Sequence, residues 1–339
     1  MTGRASASVG WPARWSVLGK MPIFALLAVL VVLLLGGSWL LLTAGHKIRI
    51  ADPDTGGTYA NPLPRPDGPL AVYHLGHSLV GRDMPAMLQQ MSGGGHGYAV
   101  QLGWGTPLRA HWEPGVGIAG FESENDHEKY RDAGQALQSG SYDVFIATEM
   151  VEIRDAIAYH AAPDYLGRWS ALAREGNPNM RVYLYETWPR TDDAERWLDR
   201  LDRDLSRHWE TEILLDPRRL NRDAAPIYVI PAGQALAAFV RELEARGGID
   251  NIADRYALFA QQADGTPDRI HLGDLGVYLV ALTHYATLYH QSPVGLPRQL
   301  LRADGSAAIA PGENAARLMQ EIVWKVVTSY PKTGVRQRD

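Results

Sequence analysis

Two short stretches hold side chains whose types and spacing could do covalent chemistry. The first is YHLGHSLVG (Tyr73–Gly81), where Ser78 falls two residues past the end of an apolar run. A serine at a strand-to-helix turn points its hydroxyl over the sheet edge, and free helix N–H groups favour negative charge developing beside it. The same residue type is also a preferred helix N-cap, so the turn by itself decides nothing. The second stretch is PDRIHLGDLG, which places Asp268 and His271 three positions apart in a polar segment just before a long helical pattern. A carboxylate on the same turn can bond one imidazole nitrogen and leave the other facing a hydroxyl, the arrangement of a general base.

An attacking serine also needs donors for the oxyanion it creates. LGWGTPL offers Gly105 as an unobstructed N–H, IATEM brings Thr148 and Glu149, and YETWP brings Glu186 and Trp188. His77 beside the serine and Trp104 beside Gly105 complete the set of expected substrate contacts. His111 and Trp112 are further candidates for lining a cleft.

These residues need elements to position them. Short apolar runs at Leu70–Gly76, Tyr98–Gly103, Tyr142–Thr148, Arg181–Thr187 and Pro226–Ala232 read as strands. Helical stretches lie between and after them, near Asp83–Met91, Glu128–Gln138, Tyr165–Arg174, Asp192–Trp209, Gln234–Arg246, Leu275–His290 and Glu313–Thr328. Alternating strand and helix predicts an α/β fold, a doubly wound, mainly parallel five-stranded sheet between two helical layers. Ligand sites in such sheets lie at the carboxyl ends of the strands, where the residues above fall.

The order and spacing of these segments resemble the SGNH (GDSL-type) hydrolases, especially the branch whose first block reads G-[NH]-S-L. LGHSL is similar to that block, GTPLRAHW to the second, YDVFIATE to the third and DRIHLGDLGVYL to the last. The resemblance runs from about Leu70 to Leu288. It implies a flavodoxin-like three-layer fold, a Ser78–His271–Asp268 triad, and an oxyanion hole made by the Ser78 and Gly105 N–H groups with Thr148. Two positions depart from the family pattern: Thr148 stands where an Asn or Gln side chain is usual, and His77 where Asp or Asn is common. The resemblance implies an ester hydrolase without cofactor, acting on a small acyl ester, O-acetyl above all, of an envelope carbohydrate. An acyltransferase on the same triad and a catalytically degenerate glycan-binding or assembly protein are the alternatives.

The amino-terminal part is different in kind. Met21–Gly45 carries no charged residue and is nearly all aliphatic, long enough as a helix to cross a hydrocarbon core of about 30 Å. Arg4, Arg14 and Lys20 precede it with no acidic residue among them. The expected organisation is a cytoplasmic segment (1–20), a single-pass inner-membrane anchor (21–45), an extended Pro/Gly/Asp-rich linker (46–68) and a hydrolase-like domain (69–339) outside the cytoplasm. A cleaved signal is the competing reading of the same run.

Composition narrows the rest. A formal net charge of −5 gives no basic footprint for nucleic acid, and the lack of cysteine excludes disulfides, thiolate metal sites and a cysteine nucleophile. GVGIAG (Gly115–Gly120) is a literal G-x-G-x-x-G, but it follows AHWEP rather than a strand, so the context for dinucleotide binding is missing. GHSLVG is not the G-x-S-x-G elbow, because its second glycine comes one residue late. His74 and His77 lie on an extended run, where positions three apart face opposite ways, so no metal site is expected there.

Overall fold

The computed structural model describes residues 57, 59–214 and 225–336. Five strands form one parallel sheet: β1 (Ala71–Leu75), β2 (Gly97–Gln101), β3 (Val144–Ala147), β4 (Arg181–Glu186) and β5 (Ile227–Pro231), in the order β2-β1-β3-β4-β5. Each matches an apolar run of the sequence. Parallel strands are covered on both faces, so they read as continuous rather than alternating hydrophobic stretches; β3 and β5 are buried along their whole length.

The strand order reverses at β1, which pairs with β2 on one side and β3 on the other. Leu75 is level with both Gln101 and Ala147. The segments that follow these three strands therefore leave the sheet side by side, at the kind of switch point where α/β sheets bind ligands.

Helices flank the sheet. α1 (Asp83–Met91), α2 (Leu108–Trp112), α3 (Phe121–Asn125) and α4 (Ala133–Gln138) lie between the first three strands. α5 (Ile153–His160) and α6 (Ala162–Gly176) join β3 to β4. α7 (Trp197–Asp204), α8 (Ala232–Arg246), α9 (Asp274–Tyr289) and α10 (Glu313–Ser329) follow. The pattern over Glu128–Gln138 predicted a longer helix than α4, which starts only where the Asp132 carboxylate caps the Gln135 N–H. Asp192–Trp209 also differs: residues 192–196 are outside the helix, and after α7 the winding widens to a π-type segment, Leu205–Leu214. α9 is buried on nearly every face, as its unbroken apolar composition requires.

One element has no counterpart among the expected strands. β6 (Phe259–Gln261) and β7 (Pro267–Leu272) form a separate antiparallel ribbon. Their register pairs Phe259 with Leu272 and Gln261 with Pro267. Between these pairs stand Ala260 alone on β6 and Asp268, Arg269, Ile270 and His271 on β7, so β7 bulges outward there. The segment expected to be a polar loop is thus a distorted strand. PDRIHL has no period-2 apolar pattern that would have marked it.

The linker expected over 46–68 lies only partly within the described residues. Where it does, Tyr59 is buried and donates its hydroxyl to the Ile227 carbonyl at 2.8 Å, and the Leu63 N–H bonds the Gly334 carbonyl at 2.8 Å. From Tyr59 onward the chain is therefore tied to the domain. The apolar run 21–45 lies outside the described residues; among those described, no helix is long and apolar enough to cross a membrane.

Candidate active site

Ser78 lies in the turn between β1 and α1, and the β7 bulge comes to meet it. Ser78 Oγ is 3.0 Å from His271 Nε2. His271 Nδ1 is 3.1 Å from Asp268 Oδ2. With Nδ1–H donating to the carboxylate, Nε2 is left as the acceptor for the serine hydroxyl, the tautomer a general base needs. Residues three apart on a regular strand would diverge; the bulge lets Asp268 fold back over its own chain. Its Oδ1 accepts the Ile270 and His271 N–H groups at 2.7 and 2.8 Å. Burial acts to raise the Asp268 pKa, but these bonds and the His271 ring outweigh it and leave the carboxyl below its ordinary value.

The bulge is held from the segment that follows β4. Trp188 Nε1–H donates to the Ile270 carbonyl at 2.8 Å, and the Thr191 N–H to the Arg269 carbonyl at 2.8 Å. Trp188 is 2% exposed. The sequence predicts a substrate contact here; Trp188 is instead buried and positions the strand that carries Asp268 and His271.

The serine turn is held by two histidines. His77 Nδ1 accepts the Leu79 N–H at 3.3 Å, so its Nε2 carries the proton and donates to the Glu149 carbonyl at 2.7 Å. His111 Nδ1 faces the Gln101 amide nitrogen at 3.0 Å, and its Nε2–H donates to the Gly76 carbonyl at 2.8 Å. The Gln101 amide is itself oriented by the Ala133 N–H on its oxygen at 2.8 Å. Burial pushes both imidazoles down to about 4, so both are neutral donors near pH 7. His77 is fully buried and is corrected from a substrate contact to a brace of the turn. The role of His111 as a brace was not foreseen; its one trace in the sequence is a glutamine closing an otherwise apolar strand run. Trp112, the other cleft candidate, packs edge-on against Trp169 with ring centroids 4.9 Å apart.

Oxyanion donors separate into available and engaged groups. The Ser78 and Gly105 N–H groups have no hydrogen-bond partner among the described residues. Gly105 sits in the loop after β2 with φ +54°, a left-handed conformation that glycine tolerates best. Thr148 is fully buried and its hydroxyl donates to the Tyr185 carbonyl at 2.8 Å. Its single proton is committed there, so the expected third donor is corrected to a tie between β3 and β4.

The two glutamates expected at the substrate are buried instead. Glu149 Oε1 accepts the Met150 and Leu108 N–H groups at 2.8 and 3.2 Å, and burial pushes this carboxyl up to about 7. Glu186 accepts from Gln234, through its N–H at 3.2 Å and its side-chain amide at 3.1 Å, and burial pushes it up to about 8. Trp104 alone among the expected contacts faces solvent, at 56% exposure. One face of its indole lies on Gly120, where any Cβ would collide with the ring, and its Nε1–H donates to Glu124 at 2.8 Å.

The Ser78–His271–Asp268 cluster is open: the His271 side chain is 47% exposed. A cavity of about 720 Å³ lies to one side, between His111, Trp112, Ile118, Phe121 and Trp169, and the triad does not line it. Among the described residues no group of three or more His, Asp or Glu side chains could hold a metal ion.

No family model matches the chain, and no curated protein matches it. Among solved structures it is similar to a DUF4886 family protein from Bacteroides uniformis, with 16% identity and a TM-score of 0.48, covering 78% of this chain and 96% of that one.

Proposed function

We propose that this chain is a membrane-anchored, extracytoplasmic serine esterase of the SGNH type, with the three-layer, doubly wound, flavodoxin-like arrangement of that family. Its substrate is a small acyl ester, O-acetyl above all, on a carbohydrate of the envelope. The observation that carries this reading is the Ser78–His271–Asp268 relay, with contacts of 3.0 and 3.1 Å in the order that acyl transfer needs. The anchor and location rest on the apolar run 21–45 and the basic residues before it.

In this mechanism His271 Nε2 takes the proton as Ser78 Oγ bonds to the acyl carbon. The carbonyl oxygen becomes an oxyanion between the Ser78 and Gly105 N–H groups. The imidazolium, stabilised by Asp268, then protonates the departing sugar oxygen as the ester bond breaks. Water, deprotonated by His271, releases the acyl group as the carboxylic acid and frees Ser78.

The test is Ser78→Ala in the soluble fragment. It abolishes p-nitrophenyl acetate turnover and labelling by a fluorophosphonate probe while leaving the circular dichroism spectrum intact. Turnover unchanged in that variant would sink the serine mechanism, and a wild-type protein that does not label would point to a non-catalytic binding role.

A further inference from the structure

We propose that Glu149 is a positioning residue that sets the Gly105 loop against the Ser78 turn, its carboxyl group holding one and its main-chain carbonyl the other. The catalytic consequence rests on the esterase reading above; the geometric claim does not. Glu149 is fully buried just past the end of β3, the strand beside β1. Its Oε1 accepts the Leu108 N–H at 3.2 Å, at the first residue of α2 and three residues after Gly105. Pro107, which precedes that helix, has no side-chain cap to offer. Trp169 Nε1–H holds the Leu108 carbonyl at 3.1 Å, so Leu108 is fixed from both sides. The carbonyl of Glu149 takes the proton of His77 Nε2 at 2.7 Å, and His77 immediately precedes the nucleophile.

One residue therefore touches the carriers of both available oxyanion donors. A purely structural acid would be expected to have both oxygens satisfied. Glu149 Oε2 is buried without a hydrogen-bond partner among the described residues, so every hydrogen bond of this carboxyl group passes through Oε1, to Leu108 and Met150. Displacing either N–H by even a fraction of an ångström weakens an interaction made only in the transition state, which lowers kcat and leaves KM alone.

The experiment compares Glu149→Leu, which keeps the bulk and removes the acceptor, with Glu149→Gln, which keeps an acceptor oxygen. The readouts are kcat and KM for p-nitrophenyl acetate and amide hydrogen exchange over residues 76–79 and 105–108. E149L is expected to lose roughly 10–100-fold in kcat, short of the loss of a whole donor, with KM within about twofold. Exchange at Leu108 speeds up, while the serine turn, held by the main-chain carbonyl that the substitution leaves in place, keeps its protection. E149Q stays within about threefold of wild type in kcat, with wild-type protection. Wild-type kcat and exchange in E149L overturn the proposal, as does E149Q falling as far as E149L. If E149L does not fold, Glu149→Met, an unbranched side chain of similar reach without an acceptor, takes its place beside E149Q with the same supporting and overturning outcomes. If the wild-type protein fails to label or turn over, the esterase reading falls, and exchange at residues 105–108 still decides the positioning claim.

Discussion

Replacing Trp188 by phenylalanine removes one of the two tethers on the β7 bulge while keeping an aromatic ring in place. The indole N–H bonds the Ile270 carbonyl at 2.8 Å, and both residues are buried. Without it that carbonyl has lost its donor, at about 1–3 kcal/mol, and the smaller ring adds about 1 kcal/mol for the space it leaves. A total of about 2–4 kcal/mol corresponds to roughly 4–7 °C in Tm for a domain of this size. The catalytic effect should be larger than stability alone explains. The Thr191–Arg269 bond remains, but Asp268 and His271 flank the released carbonyl, and an ångström of misplacement costs on the order of 100-fold in rate. We expect kcat for p-nitrophenyl acetate to fall roughly 10–100-fold with KM unchanged, because Trp188 is buried away from substrate. Tyr59→Phe is the control: it removes a buried bond to the Ile227 carbonyl, at the start of β5, and should lower Tm without touching kcat. The reasoning is refuted if W188F melts lower but keeps wild-type kcat. A rise in KM alone would return Trp188 to the substrate.

Thr148→Val should leave kcat within about twofold of wild type and cost about 1 kcal/mol in a denaturant melt, since the hydroxyl serves the Tyr185 carbonyl; a loss of 100-fold or more would restore it as an oxyanion donor. Stability should also fall on acidification. His77 and His111 titrate at 6.5 unfolded and about 4 folded, so the unfolded chain takes up protons first. Their contribution is complete above about pH 6.5 and is lost towards pH 4, by up to about 3 kcal/mol each. Glu149, raised to about 7, acts in the opposite sense: its share is complete below about pH 4.5 and is lost as pH rises through 7. Buried His96 and His284, also lowered to about 4, add to the same acid limb, and Glu186, raised to about 8, opposes it together with Glu149. Urea melts from about pH 7.5 to 4.5 should therefore show a shallower acid limb in a His77→Gln/His111→Gln double variant than in wild type, and an equally steep limb in that variant refutes the assignment.

The five-stranded sheet was legible because each strand is apolar along its whole length, and the turns that end the strands carry the chemistry. Ser78, Asp268 and His271 were legible because their types are scarce in such positions and their order along the chain is informative. The roles of Thr148, Glu149, Glu186, Trp188 and His77 were not. Residue type places a polar side chain at a sheet edge, but whether it faces outward or inward depends on what packs over it. Thr148 turned in because the Tyr185 carbonyl was in reach, and Trp188 because the bulge lies over it. The bulge itself left no trace, since a register mismatch of one residue against four is a property of two strands together.

The triad joins residues 193 positions apart. During synthesis the chain emerges amino end first, and domains fold as their contacts become available. The serine turn, both histidine braces and the Gly105 loop lie within the first half of the domain, whereas the base and its orienting acid arrive only with β7. On the esterase mechanism proposed above, a nascent chain still lacking that ribbon carries Ser78 with nothing to deprotonate it. On the proposed mechanism activity is coupled to completion: a product truncated before Asp268 would be an inert serine protein, whatever the state of its sheet.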